Sequence, residues 1–160
     1  VLAGELNVAA DITRVEWNAS AAVTGAGFGD VEITLCETSL SELTTSFAGN
    51  YGGNTPALIY SNSWLVVTTS GDQWFGFDCA KPFTYGGTKN LIVEMRWRRD
   101  SELTVPCWHF DAKPAFRNCS VGTYAAEQGK LGTWVSRHRF TYTAAAVAPT
   151  SLGRVKSLYF

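Results

Sequence analysis

Four cysteines and two histidines are the residues of this sequence best suited to bond-making chemistry. Their spacing argues against a metal centre. There is no Cys-x-x-Cys pair, and His109 and His138 stand 29 positions apart, outside any zinc spacing. Four cysteines permit three pairings. Cys107 and Cys119 lie 12 positions apart and bracket a loop containing Pro114, so Cys107–Cys119 is the first expected disulfide. Cys36–Cys79 follows by elimination, and four free thiols is the alternative. Each bridge would add roughly 3–4 kcal/mol on the chain-entropy argument. Disulfides would also imply export.

Catalysis needs a constellation, and none is legible. Gly-x-Ser-x-Gly, His-Glu-x-x-His, phosphate-loop and dinucleotide patterns do not occur. His109 follows Trp108 inside the proposed Cys107–Cys119 loop and reads as a loop histidine. His138 falls on the apolar parity of the last strand and reads as a hydrogen-bonded core histidine. Glu94 and Glu102 belong to a scatter of carboxylates from which no glycosidase pair can be assembled. Asp30, Asp72 and Asp78 read as turn and surface residues before they read as calcium ligands. Trp64, Trp74, Trp108 and Trp134 could offer sugar-stacking faces, although a large β core consumes rings routinely. Asn18-Ala19-Ser20 and Asn118-Cys119-Ser120 match the glycosylation acceptor pattern. The expectation is a protein that is not an enzyme and carries no cofactor and no metal.

Composition sets the scale of the elements behind these residues. The 160 residues suffice for one domain with a core. Charged residues make up 17% and aromatics 13%, the composition of a folded globular chain. A net charge of −1 gives no electrostatic case for nucleic acid or an anionic membrane. The longest apolar run, Ala144–Ala148, is far too short for a membrane-spanning helix. The chain opens at Val1 without a methionine or a basic leader, as expected of a processed or front-trimmed form.

Short apolar runs punctuated by Gly, Asn and Ser point to strands throughout. Leu2, Leu6, Val8, Ala10 and Ile12 share one parity, and Val15 and Trp17 the other, which predicts a strand with a bulge near Ile12–Arg14. Val31, Ile33 and Leu35 alternate with polar residues. Ala57–Tyr60 and Trp64–Thr69 read as two strands around Ser61-Asn62-Ser63. Phe75, Phe77 and Cys79 form a further alternation. The clearest strand is NLIVEMRW, with Leu91, Val93, Met95 and Trp97 inward. TWVSRHRFTYT reads as one last long strand, with Trp134, His138, Phe140 and Tyr142 on one face. Eight or nine such strands predict an all-β fold, a single antiparallel β-sandwich of jelly-roll type with extended terminal segments. The domain is expected over 1–143, with residues 1–12 either its own first strand or a strand donated to another subunit. Residues 144–160 are expected as a linker and docked tail.

The stretch DQWFGFDCAKPFTYGGTKNLIVEMRW, residues 72–97, resembles a motif of secreted bacterial β-sandwich modules: an aromatic strand, a Pro-aromatic-x-Tyr-x-Gly turn, then Asn-Leu and a long apolar strand. The preceding FAGNYGGNTPALIYS is similar to the segment before that motif. In its own physical terms, Pro82 would end a strand, Gly86-Gly87 would permit positive φ, and Asn90 would bond the turn backbone. The tail SLGRVKSLYF resembles a Ser-Trp-Gly-x-Val-Lys-x-Leu-Tyr-basic terminus of exported bacterial proteins, with Leu152 in place of Trp and Phe160 in place of the basic residue. That resemblance implies export or surface attachment. The spacing of Leu152, Val155, Leu158, Tyr159 and Phe160 suits a docked helical turn.

These readings converge on a non-catalytic extracellular bacterial subunit. It is expected to self-assemble into a surface filament or layer of its own copies. The assembly contacts would be Leu2, Leu6, Val8, Ala10 and Ile12 at one end and Leu152, Val155, Leu158, Tyr159 and Phe160 at the other. The alternative is a carbohydrate-binding or adhesive module with a glycan partner.

Overall fold

The computed structural model describes residues 1–6, 8–99 and 103–144. Leu152, Val155, Leu158, Tyr159, Phe160 and Glu102 lie outside the described residues. Within them the chain is mostly β and antiparallel, organised around the two central strands of its three-stranded sheets. The first, β1, spans Ala10–Ala19. The second, β2, spans Ala22–Thr38 and carries Val31, Ile33 and Leu35 fully buried. β3 (Ala57–Ser70) and β5 (Asn90–Arg99) flank β2. β4 (Gln73–Tyr85) and β10 (His138–Ala144) flank β1. Two small ladders complete the fold, β6 (His109–Asp111) with β9 (Trp134–Ser136) and β7 (Asn118–Ser120) with β8 (Lys130–Gly132). No helix among the described residues is long and apolar enough to cross a membrane.

The two three-stranded sheets share a core. Ile12, Val15 and Trp17 of β1, Ile33 and Leu35 of β2, Phe77 and Tyr85 of β4 and Leu91 of β5 form one apolar cluster. The parity change near Ile12 is a bulge: both neighbours of β1 shift register between Ile12 and Arg14. This turns Val15 and Trp17 back toward the interior that Ile12 already faces.

Several boundaries differ from the sequence reading. Residues 3–6 form a helical turn, α1 (Ala3–Leu6), so the expected strand over residues 2–12 begins only at Ala10. Ala10 and Ile12, 2% and 1% exposed, sit in the central strand of the chain's own sheet, whereas Leu2 is exposed. The two expected strands around Ser61-Asn62-Ser63 are one, because β2 is long enough to pair across the polar triplet, with Asn62 opposite Val31. Pro82 does not end its strand. Opposite Ile12 and Arg14 stand Phe83 and Asp78, so residues 79–82 bow out of the ladder, and the proline sits in that bow on an edge strand, where it breaks no pairing. TWVSRHRFTYT breaks at Arg137, whose nitrogen donates to Trp108 O, into β9 and β10.

The turn after β4 follows the expected chemistry. Gly87 has φ of 78°, and a Cβ there would stand 2.6 Å from Ala9 N. The buried Tyr85 donates its hydroxyl to Lys89 O at 2.5 Å and closes the turn. Asn90 differs from the expected bond to the turn backbone: its amide donates to Leu40 O and accepts from Ala3 N, so it ties three segments together.

The cysteines are four free thiols, which corrects both expected disulfides. Ile33 and Leu35 point into the shared core, so Cys36, one residue on, points to the other face of its sheet. Cys79 packs against the core cluster, on the opposite side of that sheet. Cys107 also packs on the core, where burial pushes its thiol up to about 11. Cys119 instead reaches Thr45 O and lies against Gly129.

Candidate strand-binding groove

Among the described residues β5 is an edge strand, and its outer edge borders a long groove. Among those residues it pairs along one side only, with β2. The other edge is bonded at its beginning: Leu91 N donates to Val1 O and Val1 N donates to Leu91 O, both at 2.9 Å. Backbone groups alternate sides along a strand, so those of Val93 and Met95 also face this edge. The residues that meet Glu94 and Arg96 across the ladder are Thr34 and Glu32 of β2.

The groove holds about 1040 Å3 and runs the length of β5. Its floor is core: Trp17, Phe28, Val67, Phe75 and Met95 all line it. Its far wall is β9 and the start of β10, through Val135 and His138. The apolar interior therefore opens sideways between the edge strands of the two sheets. From Leu91 to Trp97 the edge is about 20 Å long at roughly 3.4 Å per residue. Val1–Leu6 closes the Leu91 end: Val1 bonds Leu91, Ala3 bonds Asn90, and Arg117 grips Glu5 through two hydrogen bonds at 3.0 and 2.7 Å. At the opposite end Trp97 is 42% exposed, its ring edge-on to Phe28.

His138 shapes the wall. Its ring meets Trp17 edge-on at 5.2 Å and stacks with Phe140 at 6.4 Å. Burial holds its imidazole down to about 4, so it is neutral at pH 7. His109 is exposed on β6, beside Trp134.

The remaining candidates have ordinary partners. Asp30 pairs with Arg98, Asp78 with Arg14, and Asp72 accepts from the Trp108 indole, so the three aspartates are not gathered at one loop end. Glu94 is held by the Tyr51 hydroxyl and by Arg96 and anchors the 3-10 turn Ala48–Tyr51 over the outer face of β5. Among the described residues no group of His, Cys, Asp and Glu could hold a metal ion. Asn18 is 2% exposed near the end of β1, which removes it as a glycosylation acceptor in the folded chain. Of the proposed sugar-stacking rings, Trp74 is covered by the Arg139 guanidinium at 4.8 Å, while Trp64, Trp108 and Trp134 are exposed.

Sequence reasoning missed the charged brace on β1. Glu16 sits between Val15 and Trp17 yet is buried, gripped by Arg139 at 2.6 and 2.9 Å and by Arg14 at 3.3 Å. The Arg139 guanidinium beside it holds its carboxyl below the usual carboxylate range. The brace ties β10 to β1, and so fixes the far wall of the groove. An alternating Arg-x-Glu in a strand gave no signal of burial. The chain matches no family model, no curated protein and no solved structure.

Proposed function

We propose that this protein is a non-catalytic structural subunit that accepts an extended segment of a neighbouring copy along β5 and so assembles into a filament or layer. The supporting observation is the apolar groove beside a strand edge that, among the described residues, is bonded at Leu91 and joins no further strand. An open edge over an apolar floor offers an incoming strand both backbone bonds and side-chain burial. On this reading the two sheets are the layers of a jelly-roll-like β-sandwich. A head-to-tail contact of this type does not close and therefore propagates. Placement outside a bacterial cell belongs to the same proposal and rests on the two sequence resemblances, since the thiols are free.

The test is electron microscopy and sedimentation of the full chain at rising concentration, with two variants. Val93→Pro removes an N–H on the free edge without touching the β2 ladder, and Val93→Ala truncates the same side chain and keeps the N–H. Ordered polymers are expected for the wild type and Val93→Ala, and none for Val93→Pro at unchanged circular dichroism. Equal assembly of both variants sinks the strand-addition reading. A second reading, a carbohydrate-binding or adhesive module, draws on Trp64, 53% exposed with its ring against Gly27. A wild type that stays monomeric at every concentration would favour it.

A further inference from the structure

We infer that the segment added to β5 is residues 152–160 of a second copy, running antiparallel to β5 with Val155 and Tyr159 turned into the groove. The inference rests on the assembly reading above and names its donor. Three observations converge on it.

The first is where the chain leaves the described fold. β10 ends at Ala144, which pairs with Ala10, and Ala10 pairs on its other side with Tyr85, at the turn into β5. The exit is thus at the Leu91 end of the molecule. That end of the groove is closed by Val1–Leu6 through its bonds to Leu91 and Asn90. A chain's own tail would have to pass this closure and then run parallel to β5. At the opposite end Trp97 is exposed, and a neighbour's tail entering there does not have to pass Val1–Leu6.

The second is direction. A segment tethered through residue 144 threads its later residues deepest. Entering at Trp97 and advancing toward Leu91, it runs antiparallel to β5, which is the pairing mode of every ladder in the fold. It also runs in line with Val1, whose two bonds to Leu91 already set the position of an added strand.

The third is length and pattern. Residues 145–160 reach about 50 Å when extended, against about 20 Å of edge, which leaves roughly half to span between subunits. In strand geometry Leu152, Arg154, Lys156, Leu158 and Phe160 share one face and Gly153, Val155, Ser157 and Tyr159 the other. The uncharged face suits a floor made of Trp17, Phe75 and Met95, and the two cations stay in water.

The test places the photo-cross-linking residue p-benzoylphenylalanine at position 97 of the full chain, in an equal mixture of isotopically light and heavy protein. Irradiation of assembled material should join position 97 to residues of the 145–160 segment, with half of the conjugates pairing one light and one heavy chain. Conjugates within single chains alone overturn the exchange between copies. Polymers without conjugates to 145–160 overturn this donor but leave the assembly reading standing. Absence of polymers removes both. In parallel, Val155→Asp with Tyr159→Asp should abolish assembly at unchanged circular dichroism, and undiminished assembly of that variant refutes the inference.

Discussion

Acidification from pH 7 to pH 4 should destabilise the fold through His138. The ring lies between Trp17 and Phe140, and burial holds its imidazole at about 4, against 6.5 for an unperturbed histidine. The folded state therefore resists a proton that the unfolded chain accepts. Its contribution is fully present above about 6.5, declines as pH falls from 6.5 to 4, and is lost below. The fall from 6.5 to about 4 corresponds to an upper bound of about 3–4 kcal/mol at roughly 1.4 kcal/mol per pH unit. Water still reaches one edge of the half-buried ring, so about 2 kcal/mol is the expected loss. Urea unfolding at pH 7, 5.5 and 4 measures it, with His138→Gln as the variant that cannot titrate. The midpoint of the wild type should fall over this interval by more than that of the variant. Parallel pH profiles would refute the burial argument. A strand seated in the groove would exclude the remaining water, so assembly itself should weaken over the same interval.

Gly87→Ala should cost about 1–3 kcal/mol, because a side chain at φ of 78° would also press on Ala9 N, and thermal unfolding reads this directly. Unfolding the unreduced protein in the presence of a thiol reagent should release four reactive thiols, and a count of two or none would restore the disulfides.

Much of the fold was legible because parity is a local property. The alternation of Val31, Ile33 and Leu35 and the run from Leu91 to Met95 had to bury one face, and the parity change near Ile12 had to become a bulge. Helix and strand at the N-terminus were not separable, since Leu2, Leu6 and Ala10 also satisfy a spacing of four. The cysteines failed for a different reason: sequence distance says nothing about which face of a sheet a side chain takes relative to a distant strand. Cys36 and Cys79 are separated by the sheet that contains one of them. Glu16 was illegible because its burial depends on Arg139, a partner 123 residues away.

The groove belongs entirely to tertiary structure. Alternation and turn residues pointed to an all-β chain, and the described residues are all-β. The tendency of NLIVEMRW to form a strand was fixed by its alternation. Whether that strand lies at the centre or the edge of a sheet depends on which distant segments pair with it. Here β2 takes one side, Val1 takes the first residue of the other, and β9 and β10 stand off to form the opposite wall. An edge is a relation among segments far apart in sequence, and the free energy of pairing, not any local pattern, decides where it falls.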